Sequence, residues 1–360
     1  MIKFFKSLAL VALCFALSAC FKEPLYHSQS YVFGTLVDIS IAGERDERAA
    51  MLANHVFQDF QNLHNRLHAW KATVANQPSE LGELGELNAA FSKGETPLKI
   101  SPDLAQMLLE IRTISEKSEG LFNPGIGQLI GVWGFQRDEF TAVTIDAQKI
   151  KALVKANPRM ADMVVNNQSA YSNNAALKLD LGGYAKGYAL DVAVAYLRQQ
   201  GVKNALINIG GNVIALGRHG NKPWRVGIQH PRQPTAIATL DLADGWAIGT
   251  SGDYQRYFML NGQRYCHIID PRTGYPAQHM QSVTVLVPPQ AANQSQAGVL
   301  SDVVTKPIFI AGATQSSRLA QAFGIQDFML IDVRAHITVS KQMAQKLHWV
   351  NADVQFTTLP

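Results

Sequence analysis

Apolar and polar positions along the chain follow two patterns, one with a helical period and one with a period of two. Residues 44–67 place apolar side chains on one face, which predicts an amphipathic helix. A second helix is predicted after Ser101-Pro102-Asp103, because serine before proline is a typical helix start. Residues 31–41 alternate like a strand around Gly34-Thr35. Both kinds of element are therefore expected in the first third of the chain.

Short strand patterns are frequent in the second half of the chain. The Asn261-Gly262 pair between residues 257–260 and 264–269 predicts a hairpin. Another hairpin is predicted over residues 163–177, with its turn at Ser172-Asn173-Asn174. Further strands are predicted at residues 224–228, 239–242, 246–248, 282–287 and 328–331, and further helices at residues 146–155, 291–306 and 314–323. Strands and helices mix without strict alternation, which indicates an α/β (α+β) fold with mixed β-sheets flanked by helices.

Two glycine pairs interrupt residues 178–217. Gly182-Gly183 separates a predicted strand at residues 178–181 from a predicted helix, and Gly210-Gly211 ends the strand that follows. A turn at a helix N-terminus presents free N–H groups to an anion, so a phosphate-bearing ligand is expected. A tight turn in any α/β protein would also account for the glycine pairs alone.

Asp180 and Lys186 place opposite charges on the two sides of the first glycine pair. This arrangement could hold both the hydroxyls and the phosphates of a nucleotide. The spacing is neither GxGxxG nor GxxxxGK[ST], so neither a standard dinucleotide fold nor a P-loop enzyme is indicated.

The N-terminus has the pattern of a secretory signal. Lys3 and Lys6 precede an apolar run at residues 8–17, and small residues lead to Cys20 in the lipobox-like sequence Leu-Ser-Ala-Cys. We predict a signal peptide over residues 1–19, a lipidated tether over residues 20–30 beginning at Cys20, and a single domain over residues 31–360. A plain signal peptide with a chance cysteine is the alternative. The expected location is the bacterial cell envelope, lipid-anchored at the outer or inner membrane and facing the periplasm.

Composition excludes several classes of protein. The formal net charge of +4 does not favour a nucleic-acid partner. After loss of Cys14 with the signal and lipidation of Cys20, only Cys266 remains, so no intramolecular disulfide is expected. CxxC and HExxH motifs are absent from the sequence, so zinc and haem are not expected. A hydrophobic share of 47% is sufficient for a substantial core.

Two polar positions in apolar surroundings are candidates for chemistry. His267 precedes an Asp-Pro-x-Thr-Gly turn, where a buried, hydrogen-bonded histidine and a catalytic one are equally compatible with the pattern. Asp302 lies on a predicted helix among valines and leucine, so its carboxylate needs a cation or hydrogen-bond donors as partners.

The chain resembles the ApbE family of FAD:protein FMN transferases. The motifs that carry the resemblance are FNPGIGQLIGVWGF, LDLGGYAKGYALD, INIGGN, TSGDYQRYF, HIIDPRTGYP and the helix with Asp302, in this order, and the match runs from Phe33 to about Gly312. The resemblance implies a periplasmic lipoprotein that binds FAD with a divalent cation, usually Mg²⁺. It also implies transfer of FMN, through a phosphoester, to a threonine of an acceptor protein such as a subunit of a membrane redox complex.

The resemblance also implies roles for individual residues. Contacts to FAD are expected from Phe33, Trp70, Phe122, Asn123, Pro124, Asp180, Lys186 and Ile268. His267 is the implied proton shuttle, Asp302 is implied in catalysis, and Gly183, Asp302 and Thr305 are implied metal ligands. One position departs from the family, because Lys306 stands where a metal-binding threonine is typical. Either its ammonium replaces part of the cation's charge, or it points elsewhere while Asp302, Thr305 and backbone carbonyls hold Mg²⁺.

Other functions remain compatible with the sequence. One alternative is an FAD-binding lipoprotein that has lost transferase activity or keeps only FAD pyrophosphatase activity. Another is a solute-binding lipoprotein of a transporter, without affinity for flavin. Thr314, in a Gly-Ala-Thr sequence like that of flavin acceptors, could be modified by the protein itself, although a helix N-cap is the ordinary role of such a threonine.

Overall fold

The secondary structure begins at Leu25 in the computed structural model, which describes residues 24–70, 81–94, 96–137, 143–289 and 296–359. The helices are α1 (Asp46–Leu67), α2 (Glu83–Phe91), α3 (Pro102–Lys117), α4 (Gly127–Val132), α5 (Ala147–Ala156), α6 (Ala185–Gln199), α7 (Ala297–Val303), α8 (Thr305–Ala311), α9 (Ala313–Ala322) and α10 (Lys341–Ala344), with a 3₁₀ turn at Met160–Asp162. The strands are β1 (Leu25–Val32), β2 (Thr35–Ala42), β3 (Leu98–Lys99), β4 (Met163–Asn166), β5 (Ser169–Ser172), β6 (Asn204–Ile209), β7 (Asn212–Leu216), β8 (Trp224–Gln229), β9 (Ala236–Leu242), β10 (Ala247–Gly252), β11 (Tyr257–Leu260), β12 (Gln263–Cys266), β13 (Met280–Val287), β14 (Asp327–Asp332), β15 (Ile337–Ser340), β16 (His348–Trp349) and β17 (Phe356–Leu359).

Within the described ranges, nine strands form a central sheet in the order β1-β2-β6-β7-β10-β13-β14-β15-β17. Neighbouring strands are antiparallel, and the pair β15–β17 is parallel. Every residue of β7 and of β13 is buried, because both faces of the sheet are covered at its centre. The predicted α/β class with mixed sheets is confirmed.

The two faces of the central sheet pack against different layers. On one face Val283 and Val285 of β13 belong to the main core with α1, α6, α7 and α8. On the other face Leu286 packs with the three-stranded sheet β16-β9-β8. Successive side chains of a strand point to opposite faces, so an uninterrupted apolar run supplies both layers.

Helices α6 and α7 approach each other closely at two glycines. A Cβ on Gly187 would lie inside van der Waals contact with the carbonyl oxygen of Gly298, and the reverse also holds. Asp191 of α6 accepts hydrogen bonds from the N–H groups of Gly298 at 2.8 Å and Val299 at 2.9 Å, and so caps α7. This crossing places Asp302, near the C-terminal end of α7, close to the start of α6.

Several predicted elements are confirmed with small shifts of their ends. The helices predicted at residues 44–67, 146–155 and 314–323 are α1, α5 and α9, and the helix predicted after Ser101 is α3, with the Ser101 hydroxyl accepting from the N–H of Leu104. The Asn261-Gly262 hairpin is present, but its second strand ends at Cys266, so His267 lies beyond the predicted strand.

Four local predictions are wrong. Residues 25–30 of the predicted tether form β1 instead, an edge strand whose exposed polar side chains lack the apolar alternation that indicates a strand. The turn of the 163–177 hairpin lies at Asn167, which has a φ of 52°, rather than at Ser172. The predicted strand at residues 178–181 is reduced to one bridge between Lys178 and Ile126.

The fourth correction concerns the helix predicted over residues 291–306. Residues 291–295 lie outside the described residues, and the rest divides into α7 and α8 at Val304. Pro307 does not end the helix, because it lies in the first turn of α8, where its missing N–H is tolerated. Similarly, Gly312 rather than Thr314 is the N-cap of α9, and Thr314 is exposed in the first turn. In the part of the chain that the structure describes, no helix has the length and apolar character needed to cross a membrane.

Candidate functional site

The candidate site lies where the α7–α8 junction meets the start of α6. The nearby edge of the central sheet carries the Phe33-Gly34 and Gly210-Gly211 turns, all with positive φ, and the end of β10. The two turns touch, since a Cβ on Gly210 would lie 2.6 Å from the Thr35 hydroxyl. Glycine is therefore required at Gly210 both for conformation and for space.

The carboxylate of Asp302 is the centre of the polar contacts. Its Oδ1 lies 2.5 Å from the Lys306 ammonium, and its Oδ2 lies 3.4 Å from the Lys186 ammonium. The N–H of Gly187 donates to the same Oδ2 at 3.3 Å, and the side chain of Asn212 is a further donor. Asp302 is buried; burial acts to raise its pKa, but Lys186 and Lys306 lower the pKa below its ordinary value. The predicted need of Asp302 for a cationic partner is met twice.

Lys306 extends across the first glycine pair. Its Nζ donates to the backbone oxygen of Asp302 at 2.7 Å as well as to Oδ1. A Cβ on Gly183 would lie 2.8 Å from Cε of Lys306, so the side chain occupies the space that a larger residue would fill. Burial and the nearby Lys186 lower the pKa of Lys306, while Asp302 opposes the shift. Of the two alternatives left open by the sequence, the one in which Lys306 points elsewhere is therefore wrong.

Thr305 is turned toward the sheet. Its hydroxyl donates to the backbone oxygen of Asp302 at 2.7 Å and lies 2.7 Å from the Ser251 hydroxyl. Because the Thr305 proton is used on Asp302, Ser251 must be the donor in the second contact. Both hydroxyls are buried and satisfied by protein groups.

The residues around Asp302 do not fit a divalent cation in this arrangement. Mg²⁺ takes about six oxygen ligands at roughly 2.1 Å, whereas an ammonium carries no lone pair. Lys306 already occupies Oδ1 of Asp302, and Thr305 is engaged with Ser251. Nowhere in the described ranges do three or more His, Cys, Asp or Glu side chains gather as a metal site would require.

Asp180 fastens the glycine turn to Trp70. The Trp70 indole N–H donates to Oδ2 of Asp180 at 2.9 Å, and the N–H of Gly182 donates to Oδ1 at 2.9 Å. The Lys178 ammonium lies 3.5 Å from the centre of the Trp70 ring, and burial lowers its pKa. Asp180 and Trp70, predicted separately as FAD contacts, thus lie together beside Gly182-Gly183.

The Phe122-Asn123-Pro124 turn supports the glycine turn from below. Cε2 of Phe122 would lie 3.5 Å from a Cβ on Gly183, which places the ring against the same turn as Lys306. The oxygen of Pro124 accepts from the N–H of Asp180 at 2.8 Å. Asn123 donates to the oxygen of Pro158 at 2.8 Å and accepts from the N–H of Gly125 at 3.0 Å. The contacts of Asn123 hold the turn in shape.

His267 faces the positive side of the site. Its Nδ1 lies 3.3 Å from the oxygen of Arg256. Desolvation, together with the charges of Arg256, Lys186 and Lys306, lowers the pKa of His267 well below its ordinary value. The imidazole is therefore neutral at pH 7 and can accept a proton once negative charge offsets the cations around it.

Phe33 and Ile268 have mainly structural contacts. The ring of Phe33 packs against Phe60 and His64, at centroid distances of 5.8 Å and 5.7 Å. Ile268 is buried, and its oxygen accepts from the N–H of Ala277 at 2.9 Å. Neither residue is in direct contact with Asp302 or Asp180 in the contacts described above. Their implied roles against FAD stay predictions.

Sequence reasoning missed three residues that shape the site. Asn212 follows the second glycine pair and contacts Asp302, Ser251 contacts Thr305, and Asp191 caps the helix that carries Asp302. Asn212 and Ser251 belong to motifs that the sequence offers, but their partners lie far along the chain. Only the burial of Asp191 within an otherwise amphipathic helix was a usable signal.

Known proteins resemble this chain over most of its length. The profile of the ApbE family matches residues 33–329. A protein of Rhodobacter capsulatus named FAD:protein FMN transferase is 37% identical over 89% of this chain, and the match spans 58% of that protein's length. A protein of the same name from Klebsiella pneumoniae is 31% identical, with 79% of this chain and 82% of that protein covered.

Two solved structures share the fold. The crystal structure of the ApbE protein of Thermotoga maritima superposes with a TM-score of 0.77 at 24% identity and covers 90% of this chain and 99% of that one. The apo form of the flavinyl transferase ApbE of Pseudomonas stutzeri gives a TM-score of 0.73 at 23% identity, with coverages of 91% and 98%. At these identities the likeness establishes the arrangement of sheets and helices.

Proposed function

This chain belongs to the ApbE family, and from this premise we propose that it transfers FMN from FAD to a threonine of an acceptor protein. The observation that carries the proposal is the pair of ammonium groups of Lys186 and Lys306, held at one carboxylate beside the Gly182-Gly183 turn. A diphosphate needs cations and N–H donors of this kind, placed in a partly dry pocket. Two relatives that carry the name FAD:protein FMN transferase support the same reaction.

The nucleotide is held by charge on one side and by an aromatic surface on the other. Lys186 and Lys306 neutralise the diphosphate, and Trp70, oriented by Asp180, offers an indole ring for stacking. The buried ring of Phe122 and the Asn123-Pro124 backbone give the turn beneath them its shape. Preorganised groups of this kind lower the cost of binding because they need not be reordered.

In the proposed reaction the acceptor threonine Oγ forms a bond to the flavin-side phosphorus. The bond from this phosphorus to the bridging oxygen breaks, and AMP leaves with that oxygen. The hydroxyl proton passes to the neutral imidazole of His267, whose pKa rises when the diphosphate offsets the charges of Lys186 and Lys306. Asp302 contributes by holding both ammonium groups in position. A magnesium ion, which the resemblance implies, would first have to displace Lys306 from Asp302.

We also propose that the protein works at the cell envelope, anchored by lipid on Cys20 and facing the periplasm. The lipobox-like residues before Cys20 support this location. The acceptor is then a periplasmic or membrane-anchored protein, and a subunit of a membrane redox complex is the expected class. Cys20→Ala should abolish labelling with radioactive palmitate and move the protein to the soluble fraction, and continued labelling would place the lipid elsewhere.

The reaction is tested with purified protein, FAD, MgCl₂ and an acceptor domain that carries a Gly-Ala-Thr sequence. We expect flavin fluorescence on the acceptor band of a denaturing gel, lost in Asp302→Ala and kept in the matched variant Thr314→Ala. Loss of the signal in Thr314→Ala would instead indicate modification of the protein itself at that exposed threonine.

The same mixture separates the other functions. Bound FAD without a covalent product supports an FAD-binding lipoprotein, and release of FMN and AMP without acceptor supports a pyrophosphatase. No affinity for FAD, with or without MgCl₂, contradicts the proposal and favours a solute-binding lipoprotein.

A further inference from the structure

The contacts of Lys306 concern the cation that assists the proposed reaction. We propose that the Lys306 ammonium is the built-in cation of this site, so that the chain binds the diphosphate of FAD and transfers FMN without a divalent metal ion. This inference rests on the proposed function and names the group that replaces the metal.

The first argument is that the oxygen atoms a metal would need are already taken. Lys306 contacts both Oδ1 and the backbone oxygen of Asp302, at 2.5 Å and 2.7 Å. Oδ2 accepts from the N–H of Gly187 and lies near Lys186. The Thr305 hydroxyl faces Ser251, and its proton is used on Asp302. A dication entering here would meet two ammonium groups, which repel it.

The second argument is that the chain makes room for this lysine. Cε of Lys306 would lie 2.8 Å and Cδ 3.2 Å from a Cβ on Gly183, so the aliphatic stem lies directly on the glycine turn. The side chain is only 15% exposed, which holds the ammonium in one place. A surface lysine would gain little from such a pairing, whereas a buried one is fixed by it.

The third argument concerns the hydrogen bonds that remain. An ammonium has three N–H donors, and Lys306 uses two of them on Asp302. The third is available to a phosphate oxygen. Lys186 and Lys306 together carry two positive charges against the single charge of Asp302, so the site keeps a net positive charge at the glycine turn. A charge-assisted hydrogen bond from a buried ammonium is among the strong contacts to phosphate.

The test measures metal binding, FAD binding and FMN transfer on the same protein. Mn²⁺ binding is followed by electron paramagnetic resonance, FAD affinity by quenching of flavin fluorescence, and transfer by the covalent signal on the acceptor. For the wild type we expect no Mn²⁺ site of micromolar affinity and the same FAD affinity and transfer rate in EDTA as in MgCl₂.

Three variants make the test specific. Lys306→Thr should lose about 10- to 100-fold in FAD affinity in EDTA, the range of one charge-assisted hydrogen bond, and should recover in MgCl₂ with a new Mn²⁺ signal. Lys306→Met fills the space over Gly183 without charge and should lose affinity in both conditions. Lys346→Thr is the matched control, since Lys346 pairs with Asp327 at 2.7 Å at the opposite end of the sheet. It should behave like the wild type, and its thermal unfolding shows what loss of a lysine–aspartate pair costs.

The outcomes separate this inference from the proposed function. A wild type that binds FAD or transfers FMN only with MgCl₂, or that binds Mn²⁺ tightly, overturns the inference and leaves the transferase proposal intact. A wild type that binds FAD equally well with and without metal but transfers no FMN supports the built-in cation and contradicts the transferase. If FAD does not bind in any condition, both proposals fail.

Discussion

At the scale of single residues, buried carboxylates determine how this chain responds to pH. Asp191 caps α7 with its carboxylate, and burial raises its pKa to about 7 from the ordinary 3.8. The folded state therefore binds the Asp191 proton more tightly than the unfolded chain. The stability that this proton contributes is complete below about pH 4 and is lost as the pH rises through 7.

Replacing Asp191 by asparagine should remove this part of the pH dependence. Because one pKa unit corresponds to about 1.4 kcal/mol, the unfolding free energy of the wild type should fall by up to about 4 kcal/mol relative to Asp191→Asn between pH 4 and pH 7. Urea unfolding at several pH values measures the difference. Asp244→Asn is the control, since the exposed Asp244 also accepts a backbone N–H, that of Gly217 at 2.7 Å. Parallel profiles for Asp191→Asn and wild type would contradict the prediction.

The chemistry at Asp302 was partly predictable from single residues. A carboxylate among valines needs a partner, and Lys306, four residues later, is within reach of it on a helix. Lys186 and Asn212 were not predictable as further partners of Asp302, because both come from distant segments and meet it only after the sheet and helices assemble. Local pattern contains no information on such contacts.

At the scale of elements, the crossing of α6 and α7 sets the geometry of the site. A methyl group on Gly187 would meet the backbone of Gly298 and the Cα of Val299, and backbone cannot rotate away as a side chain can. Gly187→Ala should therefore push the helices apart and move Lys186 away from Asp302.

We expect Gly187→Ala to lower the unfolding free energy by about 1–3 kcal/mol, as overpacking does, and to weaken FAD binding as well. Urea unfolding and fluorescence quenching measure the two effects. Gly131→Ala is the matched control for stability, because a Cβ there would lie 3.5 Å from the Trp70 ring, in ordinary contact. Alanine should stabilise helix α4 by up to about 1 kcal/mol. A Gly187→Ala protein as stable as the wild type would refute the close packing.

Turn and cap residues explain which elements the sequence predicted. Asn261-Gly262 and Ser101-Pro102 act within a few residues, so the hairpin and the start of α3 were found. Strand β1 was missed because its register is set by pairing with β2 and not by its own apolar residues. The order β7-β10-β13 at the centre of the sheet depends on long-range pairing, which periodicity does not reveal.

At the scale of the whole molecule, Cys266 reports on the opening of the core. It is the one cysteine among the described residues, it is buried, and burial raises the pKa of its thiol to about 12. Since the thiolate is the reactive form, the folded protein should resist thiol reagents at neutral pH.

A variant that lacks residues 1–20 should therefore react with Ellman's reagent only through unfolding. We expect full labelling in 8 M urea, slow labelling in buffer, and still slower labelling when FAD is present, because a ligand that binds the folded state stabilises it. Absorbance at 412 nm measures the rate. Immediate labelling of the native protein would mean that the segment around Cys266 opens independently of the core.

The contact between Lys306 and Gly183 has a consequence for related proteins. A methyl group at position 183 would displace the lysine stem, so the two positions are expected to evolve as a pair. In homologous sequences, lysine at the position of Lys306 should occur with glycine at the position of Gly183, and alanine or serine there should accompany a shorter side chain. The double change Gly183→Ala with Lys306→Thr should accordingly be better tolerated than Gly183→Ala alone, and this epistasis would mark a branch of the family that replaced a diffusible ion with an inherited one.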